Sequence, residues 1–104
     1  MAEANHDADE PVDMSASPNT WFVYILQCAD GSLYTGITTD LSRRCEQHNA
    51  GTASRYTRSR LPVSVEYHEV QDNRSLALKR ELAIKAMSRQ EKESLIRLAN
   101  HKLT

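Results

Sequence analysis

Residues 21–48, WFVYILQCADGSLYTGITTDLSRRCEQH, decide how the rest of the chain is read. Trp21 to Cys28 is an almost unbroken apolar run rich in β-branched and aromatic side chains. Asp30-Gly31 is a hairpin-type turn pair, and Leu33 to Ile37 resumes the strand pattern. Two paired strands are predicted. Tyr24 and Tyr34 fall in the middle of them, and whether they share a face depends on the register of the turn, which the residues leave open. Gly36 removes a side chain from the second strand, as at a bulge or where another group comes close to the backbone. Thr39 or Asp40 is the expected N-cap of a helix on which Leu41, Arg44, Cys45 and His48 share one face. An arginine and a histidine on a core stripe either pass the edge of the core or line a cleft.

Residues 1–18 hold five acids (Glu3, Asp7, Asp9, Glu10 and Asp13), no lysine or arginine, and Pro11 and Pro18. With so little to bury they are expected to form a disordered acidic leader. The net charge of −1 therefore conceals an asymmetry, because residues 19–104 carry 13 basic and 9 acidic side chains, a net of +4. That balance suits a phosphate-bearing partner without requiring one. A chain of 104 residues with 39% hydrophobic content predicts one small domain, placed at residues 19–100 with a tail at 101–104. No apolar run approaches the roughly 18 residues of a membrane span. The first residues lack a basic region followed by an apolar stretch, so a cytoplasmic protein without a membrane partner is expected. Cys28 and Cys45 are spaced unlike a metal knuckle and are expected as reduced thiols.

Downstream, Asn49-Ala50-Gly51 is a helix stop of the left-handed type. Residues 52–60, TASRYTRSR, read as a loop in which Arg55, Arg58 and Arg60 surround Tyr56 with no acid among them. Arginines beside an exposed aromatic suit phosphate contact and base stacking, and they equally suit a solvated connection. After Pro62 a third strand is expected from Val63 to Val70, with Val63, Val65 and Tyr67 turned to the core and Ser64, Glu66 and His68 turned away. Asp72 or Asn73 would cap a helix over about Arg74 to Met87 that buries Leu76, Ala77, Ile84 and Met87. Glu81 stands beside that apolar face, where a carboxylate is paired, hydrated or metal-bound. On the residues alone it is a salt-bridge partner of Lys85 at i+4. Ser88 and Glu91 form a capping-box pattern for a last helix to about Ala99, with Leu95, Ile96, Leu98 and Ala99 inward. The fold class predicted is α+β, a small three-stranded antiparallel sheet flanked by helices in the order ββαβαα.

Tyr24 within Val23-Tyr24-Ile25, the run Tyr34-Thr35-Gly36, Arg44, His48 and a helical Glu81 occur in an order that resembles the GIY-YIG nuclease family. The resemblance runs from about Trp21 to Leu98 and is greatest to the small single-domain bacterial members. It implies Tyr24, Tyr34, Arg44 and His48 as catalytic residues and Glu81 as the protein ligand of a single Mg²⁺ or Mn²⁺. It also implies a metal-dependent endonuclease hydrolysing DNA phosphodiester bonds, with structured or damaged DNA in repair or recombination as the expected substrate. The chain departs from the pattern in having Phe22-Val23 before Tyr24 where the first glycine belongs, and Thr35 for isoleucine. Ile37 stands where excision-repair relatives carry a lysine, so another group must help to deprotonate a tyrosine.

The chemistry is coherent. A tyrosine of ordinary pKa, near 10, needs a neighbouring cation or base before it accepts a proton from water. Which tyrosine does so is open from the residues. Arg44 is forked and permanently charged, which suits clamping a phosphate as charge builds on it. His48 can hydrogen-bond the phosphate or relay a proton. One carboxylate is enough for Mg²⁺, which keeps most of its waters. Arg55, Tyr56, Arg58 and Arg60 are the candidate DNA-contacting residues. With one site and little DNA-binding surface per copy, a second copy or a partner protein is a candidate to supply more. The alternative is a non-catalytic nucleic-acid or protein-binding module on the same scaffold, in which the tyrosines pack and Glu81 is an ion pair.

Overall fold

The structure, a computed structural model, describes residues 20–102. The acidic leader expected over residues 1–18 lies outside the described residues. The elements are β1 (Trp21–Gln27), β2 (Leu33–Thr38), α1 (Leu41–Asn49), α2 (Arg55–Arg58), β3 (Ser64–Gln71), α3 (Arg74–Lys85) and α4 (Arg89–Lys102). They form the α+β fold expected, a three-stranded antiparallel sheet in the order β2-β1-β3 with helices on both faces. One element was not foreseen: the single turn α2 inside the stretch read as a loop. The last helix also runs beyond Ala99 to Lys102.

The turn that joins β1 to β2 is built by Asp30 and Gly31. Gly31 adopts φ +86°, a left-handed conformation that glycine enters without a side-chain clash. Asp30 Oδ1 accepts hydrogen bonds from the Ser32 backbone N–H (3.0 Å) and hydroxyl (2.6 Å). This closes the ladder at Gln27 opposite Leu33 and fixes every pair beyond it.

β1 is the middle strand and is covered on both faces, which explains its continuous apolar run. Trp21, Val23 and Ile25 meet Ala77 and Ile84 of α3, with Leu95 and Ile96 of α4 packed against them. Tyr24, Leu26 and Cys28 face the opposite way, toward Leu41, Leu61 and Val63. The register of β3 against β1 jumps from Ile25↔Tyr67 to Leu26↔Val65. Glu66 is thus the extra residue of a β-bulge, and it reverses the alternation. Val65 joins the Tyr24 layer and Tyr67 the Val23 layer. The expectation that Val63, Val65 and Tyr67 share one core face is corrected by that bulge.

The caps fall where the side chains can supply them. Asp40 accepts from the Arg43 N–H (3.0 Å) and Asn73 from the Leu76 N–H (2.9 Å). Ser88 and Glu91 make the reciprocal bonds of a capping box, at 3.1 and 2.8 Å. Two apolar positions expected inside are outside: Leu76 lies in the exposed first turn of α3, and Leu98 on α4 is 61% exposed. A three-stranded sheet is too narrow to cover a wide helix stripe, so each helix buries only its innermost line of side chains. Cys28 and Cys45 are free thiols. Among the described residues no helix is long and apolar enough to cross a membrane.

Two polar contacts fix the layers. The Asn49 side chain bonds both backbone groups of Val63, donating to its carbonyl (3.1 Å) and accepting from its N–H (2.8 Å), which ties α1 to the entry of β3. On the other face Glu69 accepts from Tyr67, from Gln71 (2.8 Å) and from Arg80 of α3 (2.8 Å). Burial raises the Glu69 carboxyl, but these hydrogen bonds outweigh it and hold the group below its ordinary range. Burial and the bond to Glu69 push Tyr67 up to about 12.

Candidate active site

The register answers the question about the tyrosines. Tyr24 lies opposite Gly36 and Leu26 opposite Tyr34, so the two tyrosines share a face on a diagonal. A Cβ at Gly36 would stand 2.5 Å from the Tyr24 hydroxyl oxygen and 2.7 Å from Cζ. The group that comes close to the Gly36 backbone is therefore the Tyr24 ring, and the missing side chain is the space it occupies.

Helix α1 supplies the next two groups one turn apart. Arg44 is 6% exposed and His48 is 1% exposed, on a helix whose apolar Leu41 and Cys45 are only half-buried. Buried polar groups of this kind must find partners. Arg44 donates from Nη1 to Gln47 Oε1 at 3.0 Å. His48 is engaged at both ring nitrogens, with Nε2 3.0 Å from the Tyr24 hydroxyl and Nδ1 2.8 Å from the Thr57 hydroxyl. Burial, and then the neighbouring Arg44 charge, lower its pKa from 6.5 to about 4. At neutral pH it is an uncharged imidazole able to accept a proton.

Tyr34 packs against the His48 ring edge-on, with centroids 5.2 Å apart. On its far side it stacks on Tyr56 at 6.0 Å and 22°. The Arg60 guanidinium lies over the Tyr56 ring at 3.9 Å, held there by Asp30 (3.0 Å) and the Tyr56 carbonyl (2.8 Å). Tyr56 is thus engaged by Arg60 and braces Tyr34. Arg55 and Arg58 are exposed and unpaired among the described residues, at the two ends of α2.

Tyr24, Tyr34, Arg44 and His48 open onto one cleft of about 180 Å³, whose other wall includes Arg74, Leu78 and Glu81 of α3. Trp21 and Ile37 also line it, although they belong to the opposite face of the sheet from Tyr24. The cleft therefore wraps the β2 edge and joins both layers. The five residues that the sequence singled out for chemistry share this one space. Arg55, Tyr56, Arg58 and Arg60 adjoin it through Tyr34 without lining it.

Glu81 is largely buried and its Oε2 lies 3.3 Å from Lys85 Nζ, the i+4 pair expected on residues alone. Among the described residues no group of three or more His, Cys, Asp or Glu side chains could hold a metal. That donor set does not make a closed zinc site, which takes four nitrogen or sulfur ligands. A lone carboxylate on a polar cleft does fit a hard cation that keeps its waters, Mg²⁺ or Mn²⁺.

Two contributors, Arg74 and Thr57, were not read from the sequence, and for Gly36 only the partner was left open. Arg74, whose guanidinium lies 5.7 Å from the Trp21 ring centroid, opens α3 at the cleft wall. The signal for it was a basic residue directly after an N-cap, which is common enough to carry no weight. Thr57 was hidden in a helix of four residues, too short to show periodicity. The role of Gly36 against Tyr24 needed the register.

Residues 20–94 match the family model of the GIY-YIG catalytic domain, and the chain belongs to the GIY-YIG family. Nuclease chemistry is the general activity of that domain. The chain is 55% identical over 78 residues to the UPF0213 protein DP2720 of Desulfotalea psychrophila, covering 74% of this chain and 71% of that one. It is 50% identical over 76 residues to a UPF0213 protein of Staphylococcus aureus, covering 73% and 93%. Two solution NMR structures are similar. The UPF0213 protein BH0048 from Bacillus halodurans is 40% identical with a TM-score of 0.50, covering 76% of this chain and 84% of that one. EF2693 from E. faecalis is 38% identical with a TM-score of 0.55, covering 85% and 92%.

Proposed function

We propose that this protein is a cytoplasmic endonuclease that hydrolyses phosphodiester bonds in structured or damaged DNA with one divalent ion, Mg²⁺ or Mn²⁺. The observation that carries the reading is the 3.0 Å hydrogen bond between the Tyr24 hydroxyl and the neutral His48 imidazole, inside a cleft that also presents Tyr34, Arg44 and Glu81. It answers the difficulty raised by Ile37, because a base for the tyrosine comes from the helix instead of the strand.

In this reading Arg44 clamps the scissile phosphate and meets the charge that grows on it in the transition state. Tyr24 takes the proton of the attacking water and passes its own to His48 Nε2. A bound phosphate offsets the Arg44 charge, one of the two causes that hold His48 low, so substrate binding makes the imidazole a better acceptor. Tyr34, fixed between His48 and Tyr56, orients the phosphate or the water. Glu81 would hold the divalent ion, whose chemistry is to stabilise the leaving 3′ oxygen. Arg55 and Arg58, unpaired on the adjoining turn, and Arg74 on the far wall suit the flanking phosphates. A second copy or a partner protein adds the DNA-binding surface that a domain of this size lacks, and light scattering that shows a monomer with and without DNA would exclude the dimer.

The test is cleavage of single strands, flaps, nicked duplexes and four-way junctions with Mg²⁺ or Mn²⁺ by wild type, Tyr24→Phe, Arg44→Ala and Glu81→Gln. Each substitution is expected to lower turnover by about 100-fold or more, the usual effect of removing a key electrostatic group. Equal trace activity in all four proteins would reject the nuclease reading. The Glu81–Lys85 ion pair favours a second reading, a binding module in which Glu81 is structural. In that case Glu81→Gln leaves DNA binding intact and Mn²⁺ has no specific site.

A further inference from the structure

We propose that the Thr57 hydroxyl sets the tautomer of His48, placing the ring proton on Nδ1 and leaving Nε2 bare to accept the Tyr24 proton. Thr57 is then a positioning residue. Its purpose rests on the nuclease reading, but its geometry does not.

Thr57 is fully buried, so its hydroxyl must be satisfied inside the protein. Two groups lie near it: His48 Nδ1 at 2.8 Å and the Ser54 carbonyl at 3.4 Å. A carbonyl can only accept, so with the threonine proton turned to Ser54, whose carbonyl also takes the Arg58 N–H (3.0 Å), the threonine oxygen is left to accept from Nδ1–H. The opposite arrangement, with Thr57 donating into Nδ1, would protonate Nε2 and make the Tyr24 phenol accept from it. A phenol is a far stronger acid than a neutral imidazole N–H, so the hydrogen bond is better made with the phenol as donor. Both ends of the ring therefore favour the same tautomer.

The turn that carries Thr57 is held from several sides. Ser54 Oγ accepts from the backbone N–H groups of Tyr56 (3.1 Å) and Thr57 (3.4 Å), and Arg60 ties the Tyr56 carbonyl to Asp30 of the hairpin turn. Four residues with no core of their own are kept in one conformation by the hairpin and by Tyr34. A second group that orients a base through its other ring nitrogen is a recurrent device in proton-transfer sites.

The experiment is nitrogen-resolved NMR of the His48 ring at pH 7 in the full chain, for wild type, Thr57→Val and Thr57→Ser, with cleavage kinetics on the DNA that wild type cuts. Valine keeps the volume and removes the hydroxyl, whereas serine keeps the hydroxyl. The expected result is Nδ1–H in wild type and Thr57→Ser. In Thr57→Val the population shifts toward Nε2–H and turnover falls by roughly 10- to 100-fold with KM little changed, within the range of a positioned acid–base group. Nε2–H in wild type, or the wild-type tautomer in Thr57→Val, overturns the inference and leaves the nuclease reading standing. Nδ1–H in wild type with no cleavage of any DNA supports the tautomer and rejects the nuclease reading.

Discussion

Lowering the pH from 7.5 to 5 is expected to weaken the fold through His48. In the folded protein the ring takes a proton only at about pH 4, against 6.5 in an ordinary environment. The unfolded chain therefore binds more protons than the folded one between those values, and stability rises with pH across that window. The contribution is fully present above pH 6.5 and is lost as pH falls toward 4. The gap corresponds to roughly 3 kcal/mol at about 1.36 kcal/mol per pKa unit, of which about 2 kcal/mol is lost by pH 5. Glu69 and Asp30 are held below their ordinary range by their hydrogen bonds, and both groups are present in the two proteins compared below. The assay is urea denaturation at pH 7.5, 6 and 5 of wild type and His48→Gln, which removes the titrating ring. Titration of the other histidines is common to both proteins and cancels in the comparison. Between pH 7.5 and 5 wild type should lose about 2 kcal/mol more than the variant. Equal slopes in the two proteins, or a flat wild type, would refute the claim that His48 is neutral because it is buried beside Arg44.

Gly36→Ala places a methyl group 2.5 Å from the Tyr24 hydroxyl oxygen, so the ring must move off His48. Thermal unfolding should show a loss of about 1–3 kcal/mol, as for other overpacked cores, together with loss of cleavage. Asn49→Ala leaves the Val63 N–H and carbonyl without their side-chain partner and should cost about 1–3 kcal/mol by chemical denaturation, while nuclease turnover per folded molecule is kept. Arg44→Lys keeps the charge but not the fork, and its kcat should remain roughly 10-fold or more below wild type, since lysine cannot clamp two phosphate oxygens.

Much of this arrangement was written locally. The β1–β2 hairpin follows from Asp30-Gly31 between two apolar runs, and the helix starts follow from Asp40, Asn73 and the Ser88–Glu91 pair, because each motif is completed within four residues. The side chains on the cleft were legible as an ordered set, but their common face was not. It depends on a register set by the turn and on Gly36 yielding space to a residue twelve positions earlier. The bulge at Glu66 was invisible, since Ser64 to His68 alternates in sequence whether or not one residue is extra. Leu76 and Leu98 misled because helical spacing counts apolar side chains without knowing how wide a sheet lies beneath them. The TASRYTRSR stretch misled in the other direction: its composition is that of a loop, and a turn of four residues, capped by Ser54, is too short to show a period.

The cleft draws on both layers around the edge of the sheet, and this has a consequence for how the protein comes into being. Tyr24, Tyr34, Arg44, His48 and Thr57 lie within one contiguous third of the chain, whereas Glu81 arrives with α3 on the reverse side of β1. During folding the hydrogen-bonded chain of Tyr24, His48 and Thr57 can assemble from near neighbours, but the opposite wall exists only once the second layer has docked, since contacts of long sequence separation form at greater entropic cost. On the proposed nuclease reading, competence is then among the last properties the chain acquires and, on partial opening of α3, among the first it loses, so that a nascent or damaged copy carries half a site and leaves DNA intact.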